Sequence, residues 1–242
     1  MMSLDCLAPQ SLPLSRVPTL RSGEAHLWTM RLENLPVMER VAPVRRIDAL
    51  RQRRMGQRFV LRLLLGAYLG VPGRDVVLSR TDAGKPVLAE SHADTELAFN
   101  LSHAGALLAV AVARGVAIGV DIESRDRRVR TAALARRCFS DAERRRLAEL
   151  ADGDARTEFL RRWSVREAVI KARGGTLAEH LAGVVPSPAE PARLQRLPTG
   201  WGDPGGWDVR EITGDPAAIG FLAAPGALTA VRGFRLTLPS GS

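Results

Sequence analysis

The apolar and polar positions of the chain follow two periods, one helical and one strand-like. From Ile47 to Leu69, "IDALRQRRMGQRFVLRLLLGAYL" repeats apolar residues at helical spacing opposite an Arg-rich face, and Gly70-Val71-Pro72-Gly73 stops it. A second helix is predicted for "ARTEFLRRWSVREAVIKAR", with Phe159, Trp163 and Ile170 on its apolar stripe and Gly174-Gly175 at its end. Between these, helical character resumes near Thr131. "SDAERRRLAEL" then starts a helix with Ser140 as N-cap and Glu143 at the third position, a capping-box pattern. The strand-like stretches are "EAHLWTMRLENL", ended by Pro36, "VVLSRTDAGKPVLA", and "ELAFNLSHAGALLAVAVARGVAIGVDIE", with turns at "HAG" and "ARG". The tail, "WDVREI" and "AIGFLAAPGALTAVRGFRLTL", reads as strands again. Strand, helix and short strands are thus followed by helices and strands of similar size. The order predicts an α+β fold of two halves, residues 1–115 and 116–242.

Composition narrows the setting. The chain has 242 residues, enough to bury a sizeable core, and 35 Lys and Arg against 26 Asp and Glu give a net charge of +9. Such a surface suits an anionic partner, and a basic nucleic-acid-binding module is one reading of it. Against that reading, aromatic residues make up only 5% of the chain and no basic-aromatic pattern of a nucleic-acid reader is present. Cys6 and Cys138 have no metal-ligand spacing, so a reducing cytoplasm is expected. The N-terminus lacks the continuous apolar core of a signal peptide. Arg114 and Gly115 interrupt the longest apolar run, so no membrane association is expected.

Candidate chemistry begins with "IGVDIE", residues 118–123. Read as a strand, Ile118, Val120 and Ile122 face one way, while Gly119, Asp121 and Glu123 face the other. Two like charges on one face repel. Either that face is solvated, or something positive sits over it, and a hard divalent cation suits carboxylate oxygens. Glu167 and Lys171, four apart on the second long helix, form an ordinary surface pair or stand at the rim of a buried face where another carboxylate would meet them. Ser102-His103 ends an apolar strand in "FNLSHAG"; as strand neighbours they point apart and make no catalytic dyad. Lys85 sits in the turn "GKP".

Taken in order, "GKPVL", "FNLSHAG", "GVDIE", "FSDAE" and "WSVREAVIKARGGTL" resemble the 4′-phosphopantetheinyl transferases of the larger, surfactin-synthetase-activating type. The resemblance runs from about Arg51 to Leu177. It implies a pseudodimer of two similar α+β halves, monomeric, that moves the phosphopantetheine arm of coenzyme A to a serine of an acyl or peptidyl carrier protein. Adenosine 3′,5′-bisphosphate is released. By the same resemblance, Asp121, Glu123 and Glu167 hold Mg²⁺. Lys85, Ser102 and His103 contact coenzyme A, with His103 on a phosphate, and Arg53 and Arg54 meet the 3′-phosphate. Lys171 offsets phosphate charge, and Glu143 or Glu167 accepts the serine proton. Two positions depart from the family pattern: Arg166 replaces the usual lysine before the motif glutamate, and "GGTL" replaces Gly-x-Gly-Leu.

One feature is left over. Arg125, Arg127, Arg128, Arg130, Arg136, Arg137 and Arg144 to Arg146 crowd the stretch after the carboxylate strand. They form either a solvated face or a docking surface for an acidic carrier protein.

Overall fold

The computed structural model describes residues 2–3, 8–12, 14, 16–34, 46–127, 131–213 and 215–237. Cys6, Arg128 and Arg130 lie outside the described residues. The strands are β1 (Met2–Ser3), β2 (Ala8–Ser11), β3 (Glu24–Arg31), β4 (Leu78–Arg80), β5 (Pro86–Leu88), β6 (Leu97–Ala104), β7 (Leu107–Arg114) and β8 (Gly119–Ser124), then β9 (Val185–Pro186), β10 (Leu194–Arg196), β11 (Trp207–Thr213), β12 (Ala218–Pro225) and β13 (Ala230–Thr237). The helices are α1 (Arg46–Leu69), α2 (Thr131–Cys138), α3 (Asp141–Ala148), α4 (Asp152–Arg173) and α5 (Leu177–His180). The predicted capping box of α3 is present in both directions, and α4 ends where Gly174 takes φ +75°, a left-handed conformation that glycine adopts without strain.

Two sheets stack between two long helices. The first has the order β2-β13-β3-β7-β6 and the second β1-β11-β12-β8. α1 buries Val60, Leu61, Leu64 and Leu65 against Trp28, Met30, Val110 and Phe234 of the first sheet. On the far side, α4 buries Phe159, Trp163, Val169 and Ile170 near Ile219, Phe221 and Ala223 of the second. Between the sheets, Ala109, Ala111 and Ala113 of β7 share a core with Val120, Ile122, Leu222 and Ala224. Alternation along β7 therefore sends alanines to the middle layer and Leu108, Val110 and Val112 to the helix layer. Small side chains in the middle let the sheets approach closely.

Two strands cross the residue-115 boundary. β13, from the end of the chain, runs parallel to β3 and β2 inside the first sheet, while β1 pairs in parallel with β11 in the second. Each half is completed by a strand from the other.

On β3, His26 and Trp28 share the face toward α1. Trp28 Nε1 donates to Tyr68 Oη at 2.8 Å, and the same oxygen lies 2.6 Å from His26 Nδ1. Burial, and then the positive charge of Arg232, lower the His26 pKa to about 4, against a weaker pull from Glu24. Unfolding releases the ring to its ordinary value of 6.5, so between pH 6.5 and 4 the unfolded chain binds the extra proton and stability falls as pH falls. In urea denaturation, the stability lost between pH 7 and 5 should be about 2 kcal/mol greater for the wild type than for His26→Gln. Equal losses would mean that the His26 proton is not withheld by the fold.

Candidate active site

The site forms where the edge of one sheet meets the edge of the other. Among the described residues β6 pairs only with β7 and β8 only with β12, and bonds from Asn100 and Ser102 to the β8 backbone lay their free edges side by side. Ile118, Val120 and Ile122 enter the inter-sheet core, which turns Gly119, Asp121 and Glu123 toward α4. Gly119 is required there, because a Cβ would collide with Ala168 O and Ala172 N of the helix. That close approach brings Asp121 and Glu123 to the same wall as Glu167 and Lys171, one helical turn apart on α4. Ser164 Oγ donates to Asp121 O at 3.1 Å and fixes strand to helix.

Arg53, Ser102, His103, Asp121, Glu123, Glu167 and Lys171 line one cavity of about 540 Å³. A neighbouring cavity of about 610 Å³ is lined by Arg54, Gln57, Arg58, Arg62 and Arg80, and Leu101 lines both. Within the first, Lys171 Nζ donates to Asp121 Oδ1 at 2.6 Å and stands 3.2 Å from Glu167 Oε2. Ser102 Oγ donates to Asp121 Oδ1 at 2.9 Å, and Arg127 pairs with Glu123 Oε1.

Electrostatics follow from this crowding. Burial, and then the negative charge of Asp121, raise Glu123 to about 7 against the pull of Arg127. Glu167 is raised for the same two reasons, against Lys171. Lys171 loses by burial, but the two carboxylates outweigh that and hold its proton on. His103 is lowered by desolvation in the cleft and then by the charges of Lys171 and Arg53.

The donor set fits a hard divalent cation. Three carboxylates share one wall, and Asp121 Oδ2 is buried with no hydrogen-bond partner. As placed, with Lys171 on Asp121 Oδ1 and Glu167 Oε2 and Arg127 on Glu123 Oε1, no three such side chains enclose an ion among the described residues.

Two expected site residues lie elsewhere. Lys85 does not line the carboxylate cavity: its Nζ donates to Lys171 O at 2.5 Å and to Ile118 O at 3.4 Å, tying the β4–β5 hairpin to the other half. Burial and the nearby charge of Lys171 lower its pKa to about 8. Glu143, expected as one of two bases, is 1% exposed, and Arg166 Nη2 donates to both its oxygens at 2.7 and 2.8 Å. Its Oε2 also accepts from Ser140 N at 2.9 Å, completing the cap. Burial alone would raise Glu143, but the charge and hydrogen bonds of Arg166 prevail and its pKa is lowered. Glu143 is a structural anion joining α3 to α4.

Sequence reasoning did not single out Asn100, whose Oδ1 accepts from Val120 N at 2.9 Å. The spacing to Ser102, which puts both on one strand face, was the available signal. Arg58 and Arg62, one and two turns beyond Arg54, were likewise visible only as part of a basic helix face.

Because Glu143 is the close partner of buried Arg166 and shares Arg162 with Glu158, Glu143→Ala should cost about 3–5 kcal/mol of stability while activity per folded molecule changes little. Urea unfolding and kcat measured on the same preparations check this. A large kcat loss at unchanged stability would restore Glu143 as a base.

Comparison with known proteins agrees with this geometry. Residues 117–200 match the 4′-phosphopantetheinyl transferase superfamily, and residues 26–114 match the 4′-phosphopantetheinyl transferase N-terminal family. The 4′-phosphopantetheinyl transferase HetI of Nostoc sp. is 32% identical over 86% of this chain and 90% of its own length. The human L-aminoadipate-semialdehyde dehydrogenase-phosphopantetheinyl transferase is 29% identical over 50% of this chain and 41% of its own. The 4′-phosphopantetheinyl transferase AcpT of Escherichia coli O157:H7 is 34% identical over 39% and 47%. These relatives do not support the nucleic-acid reading. The chain belongs to the 4′-phosphopantetheinyl transferases and is a transferase enzyme.

Proposed function

We propose that the enzyme moves the 4′-phosphopantetheine group of coenzyme A, with Mg²⁺, to a serine of an acyl or peptidyl carrier protein and releases adenosine 3′,5′-bisphosphate. The observation that carries this reading is the cavity itself. Three carboxylates, Lys171, His103 and Arg53 line one space at the seam of the two halves. Completion of both halves within one chain supports the larger, surfactin-synthetase-activating type of the sequence resemblance. A monomer of two halves meeting near residue 115, with β13 and β1 exchanged across that boundary, belongs to the same reading.

Asp121, Glu123 and Glu167 would hold the metal, and bound there it would screen the negative charge of the pyrophosphate. The chain's own residues do the rest. Lys171, kept protonated by its two carboxylate neighbours, places a fixed positive charge where the leaving phosphate gathers negative charge. His103 stands neutral among cations, so an arriving phosphate favours its protonation and gains a hydrogen-bond donor. Arg53 in this cavity and Arg54 in the adjoining one give the 3′-phosphate a basic wall. Ser102 acts on coenzyme A's side of the cavity while anchoring Asp121. Of the two carboxylates considered for the serine proton, only Glu167 faces the cavity, and we assign that role to it. Lys85 acts by holding the halves together, with coenzyme A beside it.

No helix among the described residues is long and apolar enough to cross a membrane. A cytoplasmic enzyme meeting a dissolved carrier is the setting that fits. Arg125, Arg136, Arg137, Arg145 and Arg146 are exposed beyond the cavity and supply a docking face for an acidic carrier.

Mass spectrometry of an apo carrier protein incubated with coenzyme A and Mg²⁺ should show the gain of one phosphopantetheine. Chelation should stop the gain, and Asp121→Ala should slow it about 100-fold or more without unfolding the chain. Near-normal transfer by Asp121→Ala at saturating Mg²⁺ would remove the metal assignment. Screening shortens from about 10 Å at 0.1 M salt to about 3 Å at 1 M, so KM for the carrier should rise with salt more steeply than KM for coenzyme A. Converting Arg136 and Arg137 together to Glu should reproduce that rise at low salt with kcat unchanged. A normal carrier KM in that double variant would place docking elsewhere.

A further inference from the structure

Three side chains of the N-terminal half reach backbone atoms at alternate residues along the open edge of the carboxylate strand. Lys85 Nζ donates to Ile118 O at 3.4 Å, Asn100 Oδ1 accepts from Val120 N at 2.9 Å, and Ser102 Oγ accepts from Ile122 N at 3.3 Å. An edge strand leaves every second residue's backbone groups without a sheet partner, and buried ones must find another. Here the neighbouring edge strand β6 satisfies them with side chains in place of its own backbone. The two sheets are therefore stitched, not continuous.

Lys85 and Ser102 have further contacts, on Lys171 and Asp121. Asn100 lines neither cavity and is 4% exposed. Its bond fixes the backbone at Val120, the residue before Asp121, from the N-terminal half. Ser164 fixes the carbonyl of Asp121 from the helix side. The aspartate is thus held at the amide of the residue before it and at its own carbonyl, by groups on two different elements. Reacting groups displaced by even 1 Å lose much of their effect, so such a support has catalytic weight.

We propose that Asn100 is a positioning residue, which sets the register of β8 against β6 and thereby the placement of Asp121 and Glu123. The proposal rests on the reading of these carboxylates as the metal-holding wall. It separates Asn100 from coenzyme A binding, since it touches the strand and not the cavity.

The test compares Asn100→Leu, which keeps the volume but offers no acceptor, with Asn100→Asp, which keeps the acceptor. Amide hydrogen exchange of Val120 should quicken about tenfold or more in Asn100→Leu, as expected for one lost buried hydrogen bond. Mn²⁺ affinity, read by electron paramagnetic resonance on the protein alone, and kcat should each fall about tenfold or more, with KM for coenzyme A held within about twofold. Asn100→Asp should restore Val120 protection and bring kcat back toward the wild type. If Asn100→Leu does not fold, Asn100→Ser, too short to reach Val120, carries the same comparison. Unchanged Val120 exchange, or faster exchange with unaltered Mn²⁺ affinity and kcat, would overturn the proposal. A wild type that binds no Mn²⁺ would overturn the metal reading instead, and the exchange and kcat arms would still decide Asn100.

Discussion

The hold of Lys171 on Asp121 and Glu167 is the interaction around which the molecule is arranged. Two carboxylates on one strand face and a third on the opposite helix repel one another, and burial in the cleft deepens that cost. A single ammonium between Asp121 and Glu167 offsets it, at 2.6 and 3.2 Å. For that ammonium to reach both, α4 must lie almost on the backbone of β8, and Gly119 is what allows the helix to come so near. The motif glycine, the strand aspartate and the helix lysine are therefore one geometric requirement. In the proposed reaction, a site that takes a pyrophosphate would need positive charge when free without excluding the groups that would hold the metal. A flexible lysine meets that need better than a rigid arginine.

The strand exchange between the halves serves the same end. With β13 inside the first sheet and β1 attached to the second, neither half completes its sheet alone. The seam bearing the cavity is consequently held at the termini as well as by Lys85, Asn100 and Ser102 along the β6–β8 edge. Cavities at such seams commonly bind ligands, because two rigid bodies can offer groups from different directions to one molecule. Here Arg53 and His103 come from one half, and the three carboxylates, with Lys171 and Arg127 among them, come from the other, an arrangement that suits the proposed phosphate-bearing ligand and metal.

Much of this was legible in the sequence, and the reasons are local. Period-two alternation in "IGVDIE" correctly divided core from cavity, and the Ser140 and Gly174 caps marked helix boundaries, because these depend on neighbours a few residues away. Glu143 shows where local reasoning divides. The same residue satisfied a capping-box pattern and a family base role, and its contact with Arg166, 23 residues on, which bears on both, is invisible to local reasoning. Lys85 was assigned to coenzyme A by resemblance alone, and its bonds to Lys171 O and Ile118 O had no sign in the sequence, because a turn lysine next to a proline does not show where its side chain goes. Strand exchange left no signal, and the side-chain stitching of two edges left only the alternate spacing of Asn100 and Ser102. They join residues far apart in the chain, and pairing across such distances is set by packing, which periodicity does not encode.

Helix α4 shows how one element keeps structural charge apart from chemical charge. Arg162 and Arg166, four apart, lie on one side and close on Glu143 and the α3 cap; both are fully buried. Glu167 and Lys171, also four apart, begin one residue later. The second pair is offset from the first by five residues, about 140° around a helix, so it faces β8 and the cavity. The departure at position 166 now has a physical meaning. Its side chain lies over the Phe139 ring, 4.3 Å from the centroid, and donates to both oxygens of Glu143. A planar guanidinium does both at once; an ammonium would give up the stacking and the forked donor geometry. Arginine stands in the buried cluster, and lysine on the wall of the cavity. Because both pairs ride on one rigid helix, the buried cluster that anchors α4 to α3 also fixes the height at which Lys171 meets Asp121.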